Sequence, residues 1–499
     1  MRTISGYKAR MSLEILTVAQ TAEADRTAGV TGIESFALMR AAGAAVAEAV
    51  IARWSPRPVL ALCGPGLNGG DGYVAAHRLR EAGWPVRVAA IADPKPGDAQ
   101  RALELWAGPV EPAFPSSIDG AELVIDALFG AGLSRPLDPT SAELLRACEA
   151  GERPIAAVDL PSGLSGDTGK PLDYAPRAAL TVTFHRKKPA HLLQPGRSLC
   201  GEVVVSDIGI PDAATPEAHL WENQPDLWLD RFPWPGAEAH KHDRGRLGVV
   251  SGHPASTGAA RLAARAGLRA GAGLVRIHCP PDAIGVIAAH LEAVMLQAFD
   301  GSSELEHQVE AYDAVVIGPA AGVDERTAAN LHALARTGAA LIIDADALTV
   351  FQSKPEDLFA LLDRDDVLTP HAGEFERVFP GLLAASPERI SAARQAAARA
   401  GAVVLLKGPD TVIAAPDGRA AINANGSPWL ATAGSGDVLA GIVAGLIAQG
   451  MDSFEAACAG VWLHAEAGQA FGPGLTAEDL PDLLPGPLSE FYFRQHAVR

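Results

Sequence analysis

The chain is 499 residues long, 48% hydrophobic and 20% charged, with 41 Lys and Arg against 59 Asp and Glu for a net charge of −18. That length exceeds one ordinary hydrophobic core and favours two domains as the simplest division, and the composition excludes a disordered or fibrous chain. Both halves are acidic, which disfavours nonspecific contact with nucleic acid or an anionic membrane.

At the N-terminus, residues 1–13 lack the apolar core of a signal peptide, and no uninterrupted apolar run is long enough to span a bilayer. Met11 offers an alternative start to Met1. Apolar runs of strand length then alternate with helical patterns over 58–63, 85–91, 121–127, 154–160, 178–184 and 202–206, the signature of a mostly parallel sheet covered on both faces. The Arg186-Lys187-Lys188 run reads as a solvated surface face, with a phosphate-holding patch as the alternative. Five prolines (Pro211, Pro216, Pro225, Pro233 and Pro235) interrupt the next stretch, which has no sustained periodicity and reads as a linker centred on 216–240. This gives a first domain over 11–215 and a second over 241–490. Strands are expected in the latter at 247–251, 274–279, 313–318, 340–344, 402–406 and 411–415, and helices from Gly258 to about Ala270, from Asp437 and near Phe454. Cys63, Cys148, Cys200, Cys279 and Cys458 are odd in number, far apart and without CxxC or histidine pairing, so neither a disulfide framework nor a zinc site follows. A cytoplasmic location is expected.

Two segments carry chemistry. In the second domain, Ala433-Gly434-Ser435-Gly436-Asp437 runs into an apolar helix. Its small residues leave backbone N–H groups free at the positive helix end for an anion, while Asp437 supplies a carboxylate able to deprotonate a hydroxyl. Lys407-Gly408-Pro409-Asp410-Thr411 sits at a strand end and suits nucleotide phosphates, and Thr369-Pro370-His371 presents His371 after the apolar pair Val367-Leu368, as a ligand contact or a structural histidine. In the first domain, strand 58–63 leads into Gly64-Pro65-Gly66-Leu67-Asn68-Gly69-Gly70-Asp71-Gly72, a turn that lets backbone approach a diphosphate or serves only as a tight turn. Two further strand ends deliver Asp126, and Asp159 with Ser162. Asn68, Asp126 and Ser162 offer oxygen ligands to a hard monovalent or divalent cation, and Asp159 is a candidate acid or base.

The loop at 64–72, the DALFGAGL segment and the DLPSGLSGDTG segment together resemble the N-terminal domain of the NAD(P)H-hydrate epimerases over roughly residues 14–210. That resemblance implies a Rossmann-like three-layer α/β/α domain and substrate contacts from Leu67, Asn68, Gly69, Gly70 and Asp71. It adds Gly130, Ala131, Gly132, Leu133, Ser134, Arg135, Pro136 and Asp159 to the substrate set, and potassium on Asn68, Asp126 and Ser162. Leu67 stands where the family usually has a second Asn, and Arg40 where an acidic residue is common.

The segments GAARL, RAGAGLV, IGP, DADAL, LTPHAGEF, LLKGPDTVI and ATAGSGDVLAG are similar, in order, to the ADP-dependent NAD(P)H-hydrate dehydratases of the ribokinase-like superfamily, with Ala320 replacing a usual glycine. By that similarity Ala259, Gly322, His371 and Asp437 contact the hydrate, and residues 407–411 with Ala433, Gly434, Ser435 and Gly436 contact the nucleotide. The order of the two resemblances implies a bifunctional nicotinamide-nucleotide repair enzyme, and a homo-oligomer is expected. Asp437 and Asp159 are its expected catalytic residues, hydrated NADH or NADPH and ADP its small-molecule partners, and Mg²⁺ the companion of the nucleotide. The alternative is a vitamin-alcohol kinase fused to a noncatalytic nucleotide-binding scaffold.

Overall fold

The computed structural model describes residues 12–496; Met1 and Met11, the two candidate starts, lie outside them. The chain forms two compact units, divided between Ala218 and His219.

In the first unit, β1 (Val59–Cys63), β2 (Val86–Ala90), β3 (Val110–Pro112), β4 (Leu123–Ala127), β5 (Ile155–Val158), β6 (Leu180–Phe184) and β7 (Glu202–Ser206) form one sheet. Their order is β3-β2-β1-β4-β5-β6-β7, with every pair parallel. All five residues of β1 are buried, on alternating faces. Val59, Ala61 and Cys63 join a core with Val46 and Val50 of helix Ser35–Arg53 and Val74 and Leu79 of helix Leu67–Glu81, while Leu60 and Leu62 join a second core with Leu144 and Leu145. Helices therefore cover both faces, as a parallel sheet requires. Strand order reverses between β1 and β4, and at such a switch the loops leaving the two strands diverge and open a crevice.

Helix Ser35–Arg53, interrupted by Arg40 and Glu48, bears on the question of membrane spans. With 19 residues and a mean hydropathy of 1.5, it is long and apolar enough by length and composition to cross a bilayer. Leu38, Met39, Ala42, Gly43, Val46, Ala47 and Val50 are buried, and an added Cβ at Gly43 would lie 2.4 Å from Val74 Cβ, so its apolar face is shaped to helix Leu67–Glu81.

The second unit is built on ten strands: β8 (Leu220–Glu222), β9 (Arg246–Val250), β10 (Leu274–Cys279), β11 (Met295–Ala298), β12 (Ala314–Ile317), β13 (Ala340–Ile343), β14 (Val367–Leu368), β15 (Val403–Leu406), β16 (Thr411–Ala414) and β17 (Ala420–Asn423). Their order is β11-β10-β9-β12-β13-β14-β15-β16-β17-β8, with β15–β16 and β16–β17 antiparallel and the remaining pairs parallel. Helix Ser435–Ala448 is buried continuously from Val438 to Ala448. It lies against helix Gly258–Ala270 so closely that a Cβ at Gly441 would stand 2.1 Å from the Ala263 carbonyl oxygen, and one at Gly445 2.6 Å from that of Gly267. Only glycine permits that approach, and it anchors the helix whose first turn carries Asp437.

Much of the stretch read as a linker over 216–240 belongs to the second unit. β8 pairs with β17, and Trp228, Leu229 and Phe232 are buried in its core. The Trp228 ring contacts Phe232, Trp462 and Phe491, its Nε1–H donates to Asn223 Oδ1 at 3.1 Å, and Asn223 Nδ2 donates to Asn423 Oδ1 at 2.9 Å and the Cys458 carbonyl at 2.8 Å. A three-residue strand and single 3₁₀ turns leave no period to read, which is why the prolines dominated the pattern.

Candidate active sites

The first site forms where β1 and β4 separate. The glycine-rich segment after β1 runs from Gly64 into the first turns of helix Leu67–Glu81, and Gly64, Gly69 and Gly70 are needed for packing. A Cβ at Gly69 would lie 1.8 Å from the Gly64 carbonyl oxygen, one at Gly64 1.9 Å from that of Leu128, and one at Gly70 2.6 Å from the Met39 side chain. These close approaches seat the start of the helix against the chain leaving β4. Leu67 is 67% exposed, Asn68 and Asp71 are half-buried, and Arg40 is exposed. Gly132, Ser134, Arg135 and Pro136 are exposed along the second loop, with Ala131 and Leu133 half-buried.

Asp126, at the end of β4, is wholly buried. Its Oδ1 accepts from Ser162 Oγ at 2.6 Å and the Leu128 N–H at 3.3 Å, and its Oδ2 accepts from the Ser162 N–H at 2.8 Å. Burial pushes this carboxyl above its ordinary range, against the pull of those hydrogen bonds. The Phe129 N–H donates to Ser162 Oγ at 2.9 Å, and a Cβ on the next residue, Gly130, would lie 2.8 Å from Asn68 Oδ1 and 3.2 Å from Asp159 Oδ2. Gly130 thus leaves the space in which Asn68 and Asp159 converge.

Asp159 follows β5 with φ at 67°, a left-handed conformation rare outside glycine. Its Oδ1 accepts from Lys188 Nζ at 2.7 Å and Thr183 Oγ1 at 2.9 Å, and its Oδ2 accepts from the Ala131 N–H at 3.0 Å. Burial alone would raise this carboxyl, yet the Lys188 ammonium beside it, with its hydrogen bond, brings it down to about 2. Asp159 is therefore held as an anion. Asp71 behaves oppositely: burial, reinforced by the charges of Asp159 and Asp25, pushes its carboxyl well above the ordinary range.

The basic run is not a solvated face at two of its three positions. Lys188 is 1% exposed, and Arg186 pairs with Glu14 at 3.0 Å and Asp212 at 2.6 Å. Lys188 was read only as part of that basic run, since a charged triplet carries no sign of which member turns inward, and Thr183 and His191 were not named.

In the second unit, Gly434, at φ 88°, starts helix Ser435–Ala448, and Asp437 lies in its first turn. Ser435 Oγ donates to the Leu430 carbonyl at 2.8 Å, tying the loop to the preceding 3₁₀ turn. A Cβ at Gly434 would stand 3.8 Å from Asp437 Oδ2, and one at Gly436 3.4 Å from Lys407 Nζ and 3.9 Å from Asp344 Oδ2. The glycine loop therefore borders a charged cluster. Lys407 Nζ lies 2.8 Å from Asp344 Oδ1 and 3.9 Å from Glu374 Oε2. Burial, then the Asp344 charge, raises Asp437 to about 6, with Lys407 opposing and Glu374 adding. Asp344 ends the β13 run and Glu374 follows His371 by three residues; strand-end carboxylates were the available signal for the first.

His371 caps helix Ala372–Val378. Its Nδ1 accepts from the Gly373 and Glu374 N–H groups at 2.9 and 3.3 Å, its own N–H donates to Glu374 Oε2 at 2.9 Å, and its side chain stays 55% exposed. The Lys407 N–H donates to the Pro370 carbonyl at 2.9 Å, which sets His371 beside Lys407. Gly408 and Pro409 are exposed, whereas Asp410 is buried against Arg389, 3.4 Å away, and Thr411 Oγ1 is engaged with Gly408. This segment offers Lys407 and the backbone of its turn. Gly322 donates its N–H to Asp346 Oδ2 at 2.9 Å, Ala320 keeps a glycine-like φ of 53°, and Ala259 sits half-buried in the first turn of helix Gly258–Ala270.

The family model described as NAD(P)H-hydrate dehydratase matches residues 247–485, and that described as YjeF-related protein N-terminus matches residues 35–190. The chain is 36% identical to the bifunctional NAD(P)H-hydrate repair enzyme Nnr of Pyrobaculum aerophilum, across 96% of this chain and 99% of that protein. The chain belongs to the bifunctional NAD(P)H-hydrate repair enzymes. The Moorella thermoacetica repair enzyme is also 36% identical, across 94% of this chain and 96% of its own length. An ADP/ATP-dependent NAD(P)H-hydrate dehydratase from Bacillus subtilis, co-crystallized with ATP and Mg²⁺, is 28% identical over 54% of this chain and 98% of its own, with a TM-score of 0.48. The repair-enzyme likeness runs through both units, so the kinase-plus-scaffold alternative is not favoured.

Proposed function

We propose that the first unit interconverts the R and S forms of hydrated NADH and NADPH, and that the second dehydrates the S form with ADP, releasing NAD(P)H, AMP and phosphate. The observation that carries the reading is Asp437 in the first turn of a helix, beside a glycine loop and the Lys407–Asp344 pair. A carboxyl near 6 is ionised at neutral pH and is a stronger base than an ordinary aspartate. Asp437 takes the proton of the C6 hydroxyl as that oxygen bonds to the β-phosphorus of ADP and the bond to AMP breaks. Loss of phosphate from C6 with a proton from C5 then restores the ring double bond. N–H groups of the 433–436 segment other than that of Ser435, which donates to the Thr432 carbonyl, face the charge on the transferring group.

Mg²⁺, when bound, neutralises charge on the diphosphate. Among the described residues no three His, Cys, Asp or Glu side chains form a ready metal site, which fits an ion carried mainly by nucleotide phosphates, with Asp344 and Glu374 as the nearby carboxylates. Potassium in the first unit fits the donors at Asn68, Asp126 and Ser162. The Asp126 carboxylate is buried with only neutral hydrogen-bond partners, which supports a cation beside it. Asp159 contributes a fixed negative charge beside the substrate loop, and Asp71 is the carboxyl better suited to hold a proton. The cytoplasm, and a homo-oligomer that binds neither nucleic acid nor membrane, complete the reading.

The test is product analysis on the pure S hydrate with ADP. AMP, phosphate and NAD(P)H are expected in equal amounts; a phosphorylated nucleotide that persists would return the reading to a kinase.

A further inference from the structure

Lys188 is nearly devoid of solvent contact, and a buried ammonium is costly unless it is paired. A side chain needed only for volume at this place would be apolar. Its Nζ instead donates to Asp159 Oδ1 at 2.7 Å and to Thr183 Oγ1 at 2.9 Å, while the Thr183 hydroxyl donates to the same carboxylate oxygen at 2.9 Å. The three groups close a triangle on one oxygen.

The main chain is held as well. The Lys188 N–H donates to His191 Nδ1 at 2.9 Å, so the ring proton lies on Nε2, which donates to the Asp159 carbonyl at 2.9 Å. His191 is buried, and burial followed by the Lys188 charge lowers it to about 4, so it stays neutral in this role. Asp159 is therefore gripped at its carbonyl and its carboxylate by residues three apart, which stabilises its left-handed backbone. Its other carboxylate oxygen holds the Ala131 N–H, at the start of the exposed 131–136 loop.

We propose that Lys188 is a positioning residue of the first site: with Thr183 and His191 it fixes the Asp159 carboxylate and, through Ala131, the loop that meets the substrate. This rests on reading the first unit as the epimerase. Without Lys188 the carboxylate loses its countercharge, turns or takes a proton, and releases Ala131.

The experiment uses the full chain and a purified R hydrate, with epimerisation read through the chain's own dehydration step and dehydration of the S hydrate read separately. Lys188→Ala and Lys188→Met are expected to slow epimerisation about 10²-fold with S-hydrate dehydration unchanged. Ethylammonium is expected to restore Lys188→Ala by about tenfold over the same concentration of ethanol, and to leave Lys188→Met unaffected because its side chain fills the space. A merely structural lysine would show no preference for the cation. If Lys188→Ala unfolds the first unit, Thr183→Val, which removes one member of the triangle, is expected to slow epimerisation about tenfold. Lys188→Met epimerising at the wild-type rate, equal rescue by ethanol and ethylammonium, or an unaffected Thr183→Val would each overturn the positioning role. A wild-type chain that leaves the R hydrate unchanged would instead overturn the epimerase reading itself.

Discussion

Two aspartates illustrate how differently a buried carboxylate is set. Asp159 is held near 2 by an adjacent ammonium, whereas Asp437 sits near 6 because burial and the Asp344 charge outweigh the pull of Lys407. A base must be ionised to accept a proton, so S-hydrate dehydration is expected to rise with pH through about 6 and level off above about 7, as a profile of kcat/KM would show. Asp437→Asn is expected to lower kcat by about 10³-fold and to erase that acidic limb. Retention of the limb in the variant would assign it to another group. The Asp437 segment was legible because a glycine loop and its carboxylate are contiguous in sequence. Lys188 was not: 29 residues separate it from Asp159, and it stands in a charged triplet whose members differ in burial only once the chain is folded. The turn at 407–411 was legible in part, since Lys407 borders the glycine loop while Asp410 is committed to Arg389.

At the scale of elements, long apolar strands and the glycine-marked helix starts were readable, and short edge strands were not. β3 is exposed throughout and three residues long, and β8 has three residues and only one buried side chain; neither offers a run to recognise. The consequence was greatest at 219–232, where tryptophan burial rather than periodicity ties the chain to the second unit. Trp228→Ala is accordingly expected to destabilise that unit by about 3–5 kcal/mol, seen as a lowered midpoint in thermal or denaturant unfolding followed by dehydratase activity. A true linker would register almost no change. Gly441→Ala tests the helix contact in the same way. Its new methyl would meet the Ala263 carbonyl, and a loss of about 1–3 kcal/mol is expected.

On the scale of the whole molecule, the division into an epimerase-like and a dehydratase-like unit was readable because each carries its own strand-and-loop series. The boundary at 218 and 219 was not, since it depends on which sheet β8 joins. Each candidate site lies within its own unit, so a defect in one is expected to spare the other. Asp437→Asn should still interconvert R and S hydrates, measured by separating the two isomers, while failing to regenerate NAD(P)H; loss of both activities in a folded variant would contradict that independence. The most direct test of the repair reading is the extent of NAD(P)H recovery from an equal mixture of R and S hydrates supplied with excess ADP. Complete recovery of the NAD(P)H absorbance is expected, because the first unit feeds the second, whereas recovery that stops at the S half, or none with either ADP or ATP, would contradict it.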